Sequence, residues 1–237
     1  MKNRTKLTKV FALSLVLLSM GIAHAALDFE GQSGVFLNAL AYPLGANKVE
    51  VGGHYLSLNS LGQVDTFNLG VGLKKNLELG YTELTTTVDG LKNQNILSAK
   101  WQAVAEKKDI PAVAVWAQAR HQESGSGSTD LGVSVTKVIS GDHPIILDLG
   151  ARRTKALGIG LFGFNHDYKT KLEGVAAVFV TKKLIVGTEF KQQINSKTWT
   201  DIAARYVVNN HFNLDAGIAD LGPGLGNQIA LAATWSL

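Results

Sequence analysis

Short runs in which apolar and polar residues alternate recur along most of this 237-residue chain. A period of two predicts β-strands with one apolar and one polar face. Most runs are about 9–12 residues long, close to the roughly 9–11 residues with which a tilted strand crosses a bilayer. The predicted strands are the following twelve: Lys48–Leu58, Gly62–Leu73, Leu77–Thr86, Gln94–Ala105, Pro111–His121, Asp130–Ile139, Pro144–Thr154, Lys171–Val180, Leu184–Gln192, Trp199–Val208, His211–Ala219 and Asn227–Leu237.

The last run alternates almost perfectly and ends on a hydrophobic residue. Its apolar face carries Ile229, Leu231, Ala233, Trp235 and Leu237. An apolar face opposite small or polar residues, with an aromatic near the end, is typical of the closing strand of an outer-membrane β-barrel. Closure into a barrel pairs such a strand without leaving an exposed edge.

These patterns predict an all-β protein that forms a closed antiparallel transmembrane β-barrel of about 12 strands over residues 47–237. Counting Gln32–Leu40 and Ile159–Phe164 as strands gives the alternative of 14. Short links such as Lys74–Asn76 alternate approximately with longer ones such as Gln122–Thr129 and Lys155–Thr170. This alternation is typical of short periplasmic turns and longer outer loops.

The first 25 residues have the pattern of a secretory signal peptide. Lys2, Arg4, Lys6 and Lys9 precede an apolar run, and Ala23-His24-Ala25 fits an A-x-A cleavage site. The run of about 13 residues is shorter than the ~20 of a membrane-spanning helix, so we expect cleavage after Ala25 rather than anchoring. Residues 26–46 are then expected to form an N-terminal periplasmic or lumen-filling segment.

Cleavage changes the charge of the chain. Four basic and no acidic residues lie in the signal peptide, so the totals of 23 Lys plus Arg and 19 Asp plus Glu become 19 of each. The net charge of the mature chain is then zero, and no basic cluster is interleaved with aromatics, so we expect no nucleic-acid partner. The sequence holds no cysteine, which excludes disulfides, thiol chemistry and lipid attachment at a cysteine.

Charged residues fall on the face opposite the apolar one. The predicted inward set comprises Glu50, His54, Glu78, Lys100, Arg120, Asp148, Arg152, Glu173, Glu189, Lys191, Asp201, Arg205 and Asp215. In a soluble barrel the packed interior would be apolar, whereas here charges are mixed with small residues, which suits the lumen of a membrane barrel. A soluble periplasmic β-protein is the alternative.

The mixture of seven acids and five bases permits two interpretations. In one, opposite charges tie strand to strand; in the other, they line a selective constriction. The balance of signs favours the structural interpretation. The cluster is predicted to be densest at Glu189, Lys191, Asp201, Arg205 and Asp215, and we expect Arg205 to hold it together, between Glu189 and Asp215 on the neighbouring strands.

Six aromatic residues lie on the predicted lipid face. Several fall near strand ends, as expected for the girdles that barrels place at membrane interfaces. The set is Tyr55, Tyr81, Trp101, Phe190, Tyr206 and Trp235.

Enzyme motifs are nearly absent from the sequence. We find no H-E-x-x-H, no G-x-S-x-G and no phosphate loop, so no catalytic residue, metal ligand or cofactor is predicted. His166 and Asp167 resemble half of a hydrolase dyad, but no nucleophile can be assigned to them. An outer-membrane hydrolase or acyltransferase is therefore the least favoured function.

Two resemblances extend this interpretation. The closing segment GNQIALAATWSL resembles the assembly signal of Gram-negative outer-membrane proteins, carried here by Ile229, Leu231, Trp235 and Leu237, although those proteins usually end in Phe. The stretch Phe29–Tyr55 resembles the entry segment of YjbH-like outer-membrane proteins, and Lys74–Leu84 and Ile110–Arg120 are similar in character. That resemblance implies an outer-membrane barrel associated with exopolysaccharide production and export.

The predicted function is that of an outer-membrane barrel with a narrow, charge-lined lumen, in a structural or transport-associated role that includes envelope polysaccharide export. A narrow small-solute channel is the alternative. The expected partners are outer-membrane lipid, the barrel-assembly machinery and export proteins.

Overall fold

The computed structural model describes residues 26–195, 197–222 and 226–237, without the side chain of Ser60. The predicted signal peptide, residues 1–25, lies outside the described residues. Within the described part of the chain, no helix is long and apolar enough to cross a membrane.

Almost all of the regular structure is β-strand. Two short strands, β1 (Ala26–Leu27) and β2 (Ser33–Gly34), pair with each other. The twelve longer strands are β3 (Val49–Ser57), β4 (Gln63–Lys74), β5 (Leu77–Thr86), β6 (Gln94–Val104), β7 (Ala112–Gln122), β8 (Gly127–Ile139), β9 (Ile145–Ala156), β10 (Phe164–Phe179), β11 (Leu184–Lys191), β12 (Trp199–Asn209), β13 (Phe212–Asp220) and β14 (Asn227–Ser236).

Strands β3 to β14 form a closed antiparallel barrel. Each pairs with its neighbour in sequence, and β14 closes the barrel on β3 with Leu231 opposite Tyr55. The prediction of twelve strands is confirmed, and the alternative of fourteen is wrong. Residues 32–40 lie inside the barrel, and residues 157–163 form the turn between β9 and β10.

The two faces of the barrel differ as the alternation requires. The outward positions of β9, for example, expose Ile145, Leu147 and Leu149, whereas Asp148 and Arg152 between and beyond them are buried in the lumen. An apolar exterior around a polar interior is the reverse of a soluble barrel. Burial of that exterior in hydrocarbon removes apolar surface from water, and the closed hydrogen-bonding pattern leaves no strand edge in the lipid. The molecule has the architecture of a transmembrane β-barrel.

The start of β3 and the end of β14 lie at the same end of the barrel, which in outer-membrane barrels is the periplasmic end. Two links at the opposite, outer end are shorter than the sequence indicated, and one of them is the predicted link Gln122–Thr129, which is shortened because β8 begins at Gly127. The predicted loop Lys155–Thr170 is reduced to residues 157–163 because β10 begins at Phe164 and continues to pair with β9 across a register shift between Phe164 and Lys169.

Residues 26–46 lie mainly within the lumen. We call residues 26–46 the plug and the inward side chains of β3–β14 the wall. Every residue of the plug is buried except for Val35 and Pro43, which are half-buried, and Gly45 and Ala46, which are exposed where the chain leaves the lumen for β3.

Candidate functional site in the plugged lumen

Two apolar clusters pack inside the lumen. One, towards the outer end, combines plug residues Phe29, Phe36 and Leu37 with wall residues such as Leu56 and Trp199. The other, towards the periplasmic end, combines Leu40, Ala41 and Tyr42 of the plug with wall residues that include Ala112, Ala114, Ile146, Val175 and Ile185. Buried charged and polar groups occupy other parts of the lumen, and they carry the chemistry of the site.

Glu30 of the plug is surrounded by three cations of the wall. Its Oε1 accepts a hydrogen bond from Arg120, and its Oε2 accepts one from Lys191. Arg152 Nη1 lies 3.4 Å from both carboxylate oxygens. These three cations come from β7, β11 and β9, so one carboxylate from the plug joins three strands of the wall. We call Arg120, Arg152 and Lys191 the cation triad.

The charges of the triad keep Glu30 ionised. Burial alone would raise the pKa of this carboxyl group, but Arg120, Lys191 and Arg152 outweigh burial and hold its pKa well below the usual range. Charge-assisted hydrogen bonds in a desolvated site are stronger than neutral ones. Glu30 therefore links plug and wall as a charged carboxylate that is shared by three cations.

A second link joins the plug to β5 and β6. Glu78 accepts a hydrogen bond from the backbone N–H of Ser33 at 2.8 Å and from that of Leu44 at 2.7 Å. Lys100 donates to the carbonyl oxygen of Ser33 at 2.5 Å and lies 3.4 Å from Glu78. This wall ion pair thus satisfies the backbone of the plug, which has few partners of its own.

A third link reverses the roles of plug and wall. The backbone N–H groups of Phe36, Leu37 and Asn38 converge on the carboxylate of Glu189 at 2.7, 3.0 and 2.9 Å. Convergent N–H groups form an anion-binding concavity. The plug therefore offers a carboxylate to the wall at Glu30 and accepts one from the wall at Glu189.

Arg205 does not bridge Glu189 and Asp215 as the sequence analysis expected. Its guanidinium forms a bidentate pair with Asp215, with both N–O distances 2.8 Å, and it also donates to the carbonyl oxygens of Gly34 and Val35. Glu189 is instead held by the plug. The expectation missed this because it considered only the wall.

The buried carboxylates of Asp201, Asp148 and Glu50 accept fewer hydrogen bonds. Neither carboxylate oxygen of Asp201 has a hydrogen-bond partner among the described residues, and the same holds for one oxygen of Asp148 and one of Glu50. Asp201 lies opposite Glu189 in the β11–β12 register. The wall therefore contains carboxylate oxygens that form no hydrogen bond with another strand or with the plug among the described residues.

Asp28 is a further buried acid in the plug. Its Oδ1 accepts hydrogen bonds from the backbone N–H groups of Glu30 and Gln32, both at 2.9 Å, which fixes the turn that presents Glu30. Burial raises the pKa of Asp28 to about 8, although Lys191 lowers it in part. The turn is therefore sensitive to pH in a range where Glu30 is not.

Two glycines of the wall allow the plug backbone to approach closely. A Cβ at Gly72 would lie 2.0 Å from the carbonyl oxygen of Gly45, and one at Gly80 would lie 2.5 Å from that of Gly31. Any other residue at these positions would displace the plug, so β4 and β5 are shaped to receive it.

The turn between β9 and β10 closes the outer end. Ile159 and Leu161 are buried in the outer apolar cluster. The carbonyl oxygen of Ile159 accepts hydrogen bonds from Gln94 at 3.0 Å and Arg120 at 3.1 Å. This turn thus contacts the same arginine that binds Glu30.

The structure places the predicted lumenal cluster inside the barrel, with every member buried: Glu50, Glu78, Lys100, Arg120, Asp148, Arg152, Glu189, Lys191, Asp201, Arg205 and Asp215. His54 and Glu173 are buried with them. The cluster is not densest where expected, because the shared ligand Glu30 draws together cations from β7, β9 and β11 rather than from β11 to β13.

The predicted aromatic and assembly residues lie outside the lumen to different extents. Trp101, Tyr206 and Trp235 are about half exposed and lie near the periplasmic end, which places them in one ring. Tyr55 lies near the outer end, Phe190 is half-buried there, and Tyr81 lies in the middle of β5. The assembly residues Ile229, Leu231, Trp235 and Leu237 are exposed.

His166 and Asp167 do not lie in a loop. They belong to the outer part of β10, where His166 Nδ1 is 3.1 Å from Asp167 Oδ1 and the two side chains are 98% and 70% exposed. Their contact is a solvated one between sequence neighbours, and nothing in it resembles a buried catalytic pair.

Sequence reasoning missed Glu30, Asp28 and Asp130. Asp130 is fully buried and forms an ion pair with Arg120 at 2.8 Å. Its inward position follows from the alternation Ser128, Asp130, Gly132, so a longer β8 would have revealed it. Glu30 and Asp28 lie outside any periodic pattern, and the only signal was that two acids sit in an otherwise apolar and small-residue segment.

Comparison with known proteins gives a family and a fold. The family model described as "Protein of unknown function (DUF3034)" matches residues 28–231, which include most of the plug and nearly the whole barrel. A search of curated proteins found no significant match.

Solved outer-membrane barrels have a similar fold. A structure described as "KdgM porin" has a TM-score of 0.59 at 9% identity and covers 79% of this chain and 99% of its own. The Acinetobacter baumannii outer-membrane protein Omp33 has 0.57 at 13% identity, covering 81% and 98%. The COG4313 outer-membrane channel from Pseudomonas putida F1 has 0.56 at 11% identity, covering 83% and 98%. At these identities the likeness concerns the fold.

Proposed function

The chain belongs to the family described as "Protein of unknown function (DUF3034)", and on that premise we propose that its barrel is a narrow channel for small solutes, closed in this conformation by the plug. The observation that carries the proposal is the charge of the wall beneath the plug. Eight carboxylates and five cations of the wall are buried there: Glu50, Glu78, Asp130, Asp148, Glu173, Glu189, Asp201 and Asp215, with Lys100, Arg120, Arg152, Lys191 and Arg205.

Such a wall suits transport better than a purely structural role. Burying charges costs free energy, and a filled barrel with no transport role would be at least as stable with well-packed apolar residues. A charged wall becomes useful when water and solutes replace the plug, since it can then line an aqueous passage. The structural interpretation rested on a near balance of seven acids and five bases on the wall. With Asp130 the wall holds eight carboxylates and five cations, and Glu30 of the plug is one more acid, so the charges do not balance and that argument is weakened.

The contacts of the plug are suited to release. Many of these contacts are hydrogen bonds and ion pairs, for which water can substitute. A typical intramolecular hydrogen bond contributes only about 0.5–1.5 kcal/mol net. The fold shared with proteins named as porins and channels supports transport over catalysis. The link to polysaccharide export, implied by the YjbH-like resemblance, stays a prediction.

Single-channel recording in planar bilayers tests the proposal. The wild-type chain should show rare, small openings, and Glu30→Gln should open much more often because it removes the charge that the cation triad holds. The sequence has no cysteine, so a disulfide can lock the plug without interference. Ala41 and Thr136 suit this, since Ala41 N lies 2.7 Å from Thr136 Oγ1.

The locked variant carries Ala41→Cys and Thr136→Cys together with Glu30→Gln. It should be silent when oxidised and conduct after reduction, whereas the matched control with Thr136→Cys and Glu30→Gln alone should conduct under both conditions. Absence of conductance from the wild type, Glu30→Gln and the reduced locked variant would contradict the channel and favour a structural barrel.

A further inference from the structure

The cation triad directly contacts fewer wall carboxylates than it has cations. Arg120 pairs with Asp130, with Nε 2.8 Å from Oδ2, and Arg152 and Lys191 share Glu173, each with a nitrogen 3.9 Å from its Oε2. At these distances three cations contact two wall carboxylates. Glu30 is the third carboxylate, and its removal takes away the one partner that all three cations share.

The geometry of the triad is that of a carboxylate receptor. Arg120 contacts one oxygen of Glu30 and Lys191 the other, while Arg152 Nη1 is equidistant from both. A planar carboxylate with two oxygens matches this arrangement, because each oxygen has its own donor and the third cation spans the pair. The side chains are almost completely buried, which strengthens their electrostatic attraction for an anion.

Glu30 does not saturate the triad. The two contacts of Arg152 Nη1 with Glu30 are 3.4 Å, which is long for charge-assisted hydrogen bonds, and Arg152 Nε faces Glu173 of the wall at 3.9 Å without a hydrogen bond. A ligand carboxylate that is not tethered to the plug backbone can approach Arg152 more closely.

We infer that the cation triad of Arg120, Arg152 and Lys191 is a binding site for the carboxylate of a small monoanionic solute, and that Glu30 occupies it as an internal substitute when the channel is closed. This inference rests on the proposed function, because a solute reaches the triad only after the plug has moved. It assigns the substrate class: small polar monocarboxylates, such as sugar acids, in preference to neutral solutes and cations.

Chemical rescue tests the site in the full-length chain. Glu30→Ala removes the internal carboxylate and leaves a space of about its size beside three cations. Acetate should raise the unfolding temperature of this variant by a saturable amount, whereas acetamide, which has the same shape without the charge, should not. Glu30→Gln is the matched control, because its side chain fills the space, and acetate should leave its unfolding temperature unchanged.

Reversal potentials provide a second measurement that does not need Glu30→Ala to assemble. In gradients of potassium gluconate, the reversal potential of the open Glu30→Gln channel gives the permeability of the anion relative to potassium. Adding Arg152→Gln should lower this relative permeability, while adding Lys197→Gln, which removes an exposed cation that pairs with Asp220 at the rim, should not.

The outcomes separate the inference from the proposed function. Rescue by acetate without any conductance would retain the carboxylate site and overturn the channel. Conductance with equal effects of acetate and acetamide, or with gluconate permeation insensitive to Arg152→Gln, would retain the channel and overturn the carboxylate site.

Discussion

At the scale of single residues, the lumen depends on a few charged side chains that each serve two purposes. Arg205 binds Asp215 and two carbonyl oxygens of the plug, and Arg120 binds Asp130, Glu30 and the turn at Ile159. Because each cation connects the wall with another element, a change at one position affects both the stability of the barrel and the position of the plug. The contacts of these two arginines with the plug and with the turn could not have been predicted from the wall strands alone.

Arg205→Ala should lower the unfolding temperature of the barrel in detergent. The change leaves Asp215 buried without its bidentate partner, and breaking one side of a buried ion pair costs about 3–5 kcal/mol. Adding Asp215→Asn should recover part of the loss, because it removes the unpaired charge. Arg153→Ala, at an exposed position on β9, is the control. Unchanged stability in Arg205→Ala would mean that this contact does not hold the lumen together.

Asp28 should make the docking of the plug depend on pH. Its pKa in the folded chain, about 8, exceeds the ordinary value of 3.8. A raised pKa means that the folded state retains a proton that the unfolded state loses, so stability is fully present below about pH 4 and is lost as the pH rises towards about 8. The slope is at most ~1.4 kcal/mol per pH unit for a single group.

Asp28→Asn isolates this contribution, since the amide keeps the oxygen that accepts from Glu30 and Gln32. Between pH 5 and pH 8, the wild type should lose more stability than Asp28→Asn, as measured by denaturant unfolding in detergent. Equal losses in the two proteins would contradict a buried, protonated Asp28.

At the scale of the elements, the sequence predicted the barrel strands to within a residue or two in most cases. A strand with one lipid-facing side must alternate strictly, so the pattern alone sets its limits. The largest difference is at β10, which begins at Phe164 rather than Lys171. Its outer part projects beyond the apolar band of the barrel. Polar residues such as His166 and Asp167 are tolerated there, so the sequence does not alternate. The same reason hid the start of β8.

The plug could not be predicted from a pattern, because it has neither the period of a strand nor that of a helix. Its conformation is imposed by partners far away in sequence, such as Lys191, which is 161 residues from Glu30. The inward charges of the wall were therefore predictable, and their real partners were not. The alternation of residues along a strand can be read from neighbouring positions in the sequence. The partners of an ion pair across the lumen cannot, because they lie far apart in the sequence.

The fit between plug and wall predicts the effect of a single methyl group. Gly80→Ala should displace the plug, because the new Cβ would lie 2.5 Å from the carbonyl oxygen of Gly31 as well as 2.4 Å from Ser98 Oγ, the end of a side chain that can rotate away. Gly52→Ala is the matched control: it is also inward on the wall, but its Cβ would meet nothing closer than 3.3 Å. Gly80→Ala should increase channel opening or proteolysis of the plug while Gly52→Ala does neither. Identical behaviour of the two variants would argue against close packing at Gly80.

At the scale of the whole molecule, the barrel wall is stabilised by contacts on both its outer and its inner surface. Lipid stabilises the apolar exterior, and the plug with the turn at residues 157–163 stabilises the charged interior. The two environments meet across a single layer of strands, so inward and outward substitutions should have different signatures. Those on the outside should depend on depth in the bilayer, and those on the inside should depend on the plug.

Leu149→Arg should strongly reduce the assembly of the barrel in membranes. Leu149 is 59% exposed in the middle of β9, and a cation at the bilayer midplane of a barrel costs about 2–4 kcal/mol. Ile110→Arg provides the control, because Ile110 is also exposed but lies in the periplasmic link between β6 and β7, where the cost falls to about 0–1 kcal/mol. Heat-modifiable mobility on detergent gels would report the folded fraction, and equal yields would contradict the proposed membrane position of β9.

The position of the plug at the start of the barrel sequence sets an order of events during biogenesis. Residues 26–46 are synthesised before every strand that binds them, yet Glu30 finds its partners only on β7, β9 and β11. The plug must therefore wait, unfolded and solvated, until most of the sheet has been laid down, and it is enclosed when β14 meets β3 immediately downstream of it. Closure of the cylinder and capture of its contents are thus one late, cooperative step. A chain stalled before that step should leave residues 26–46 unburied and therefore open to proteolysis.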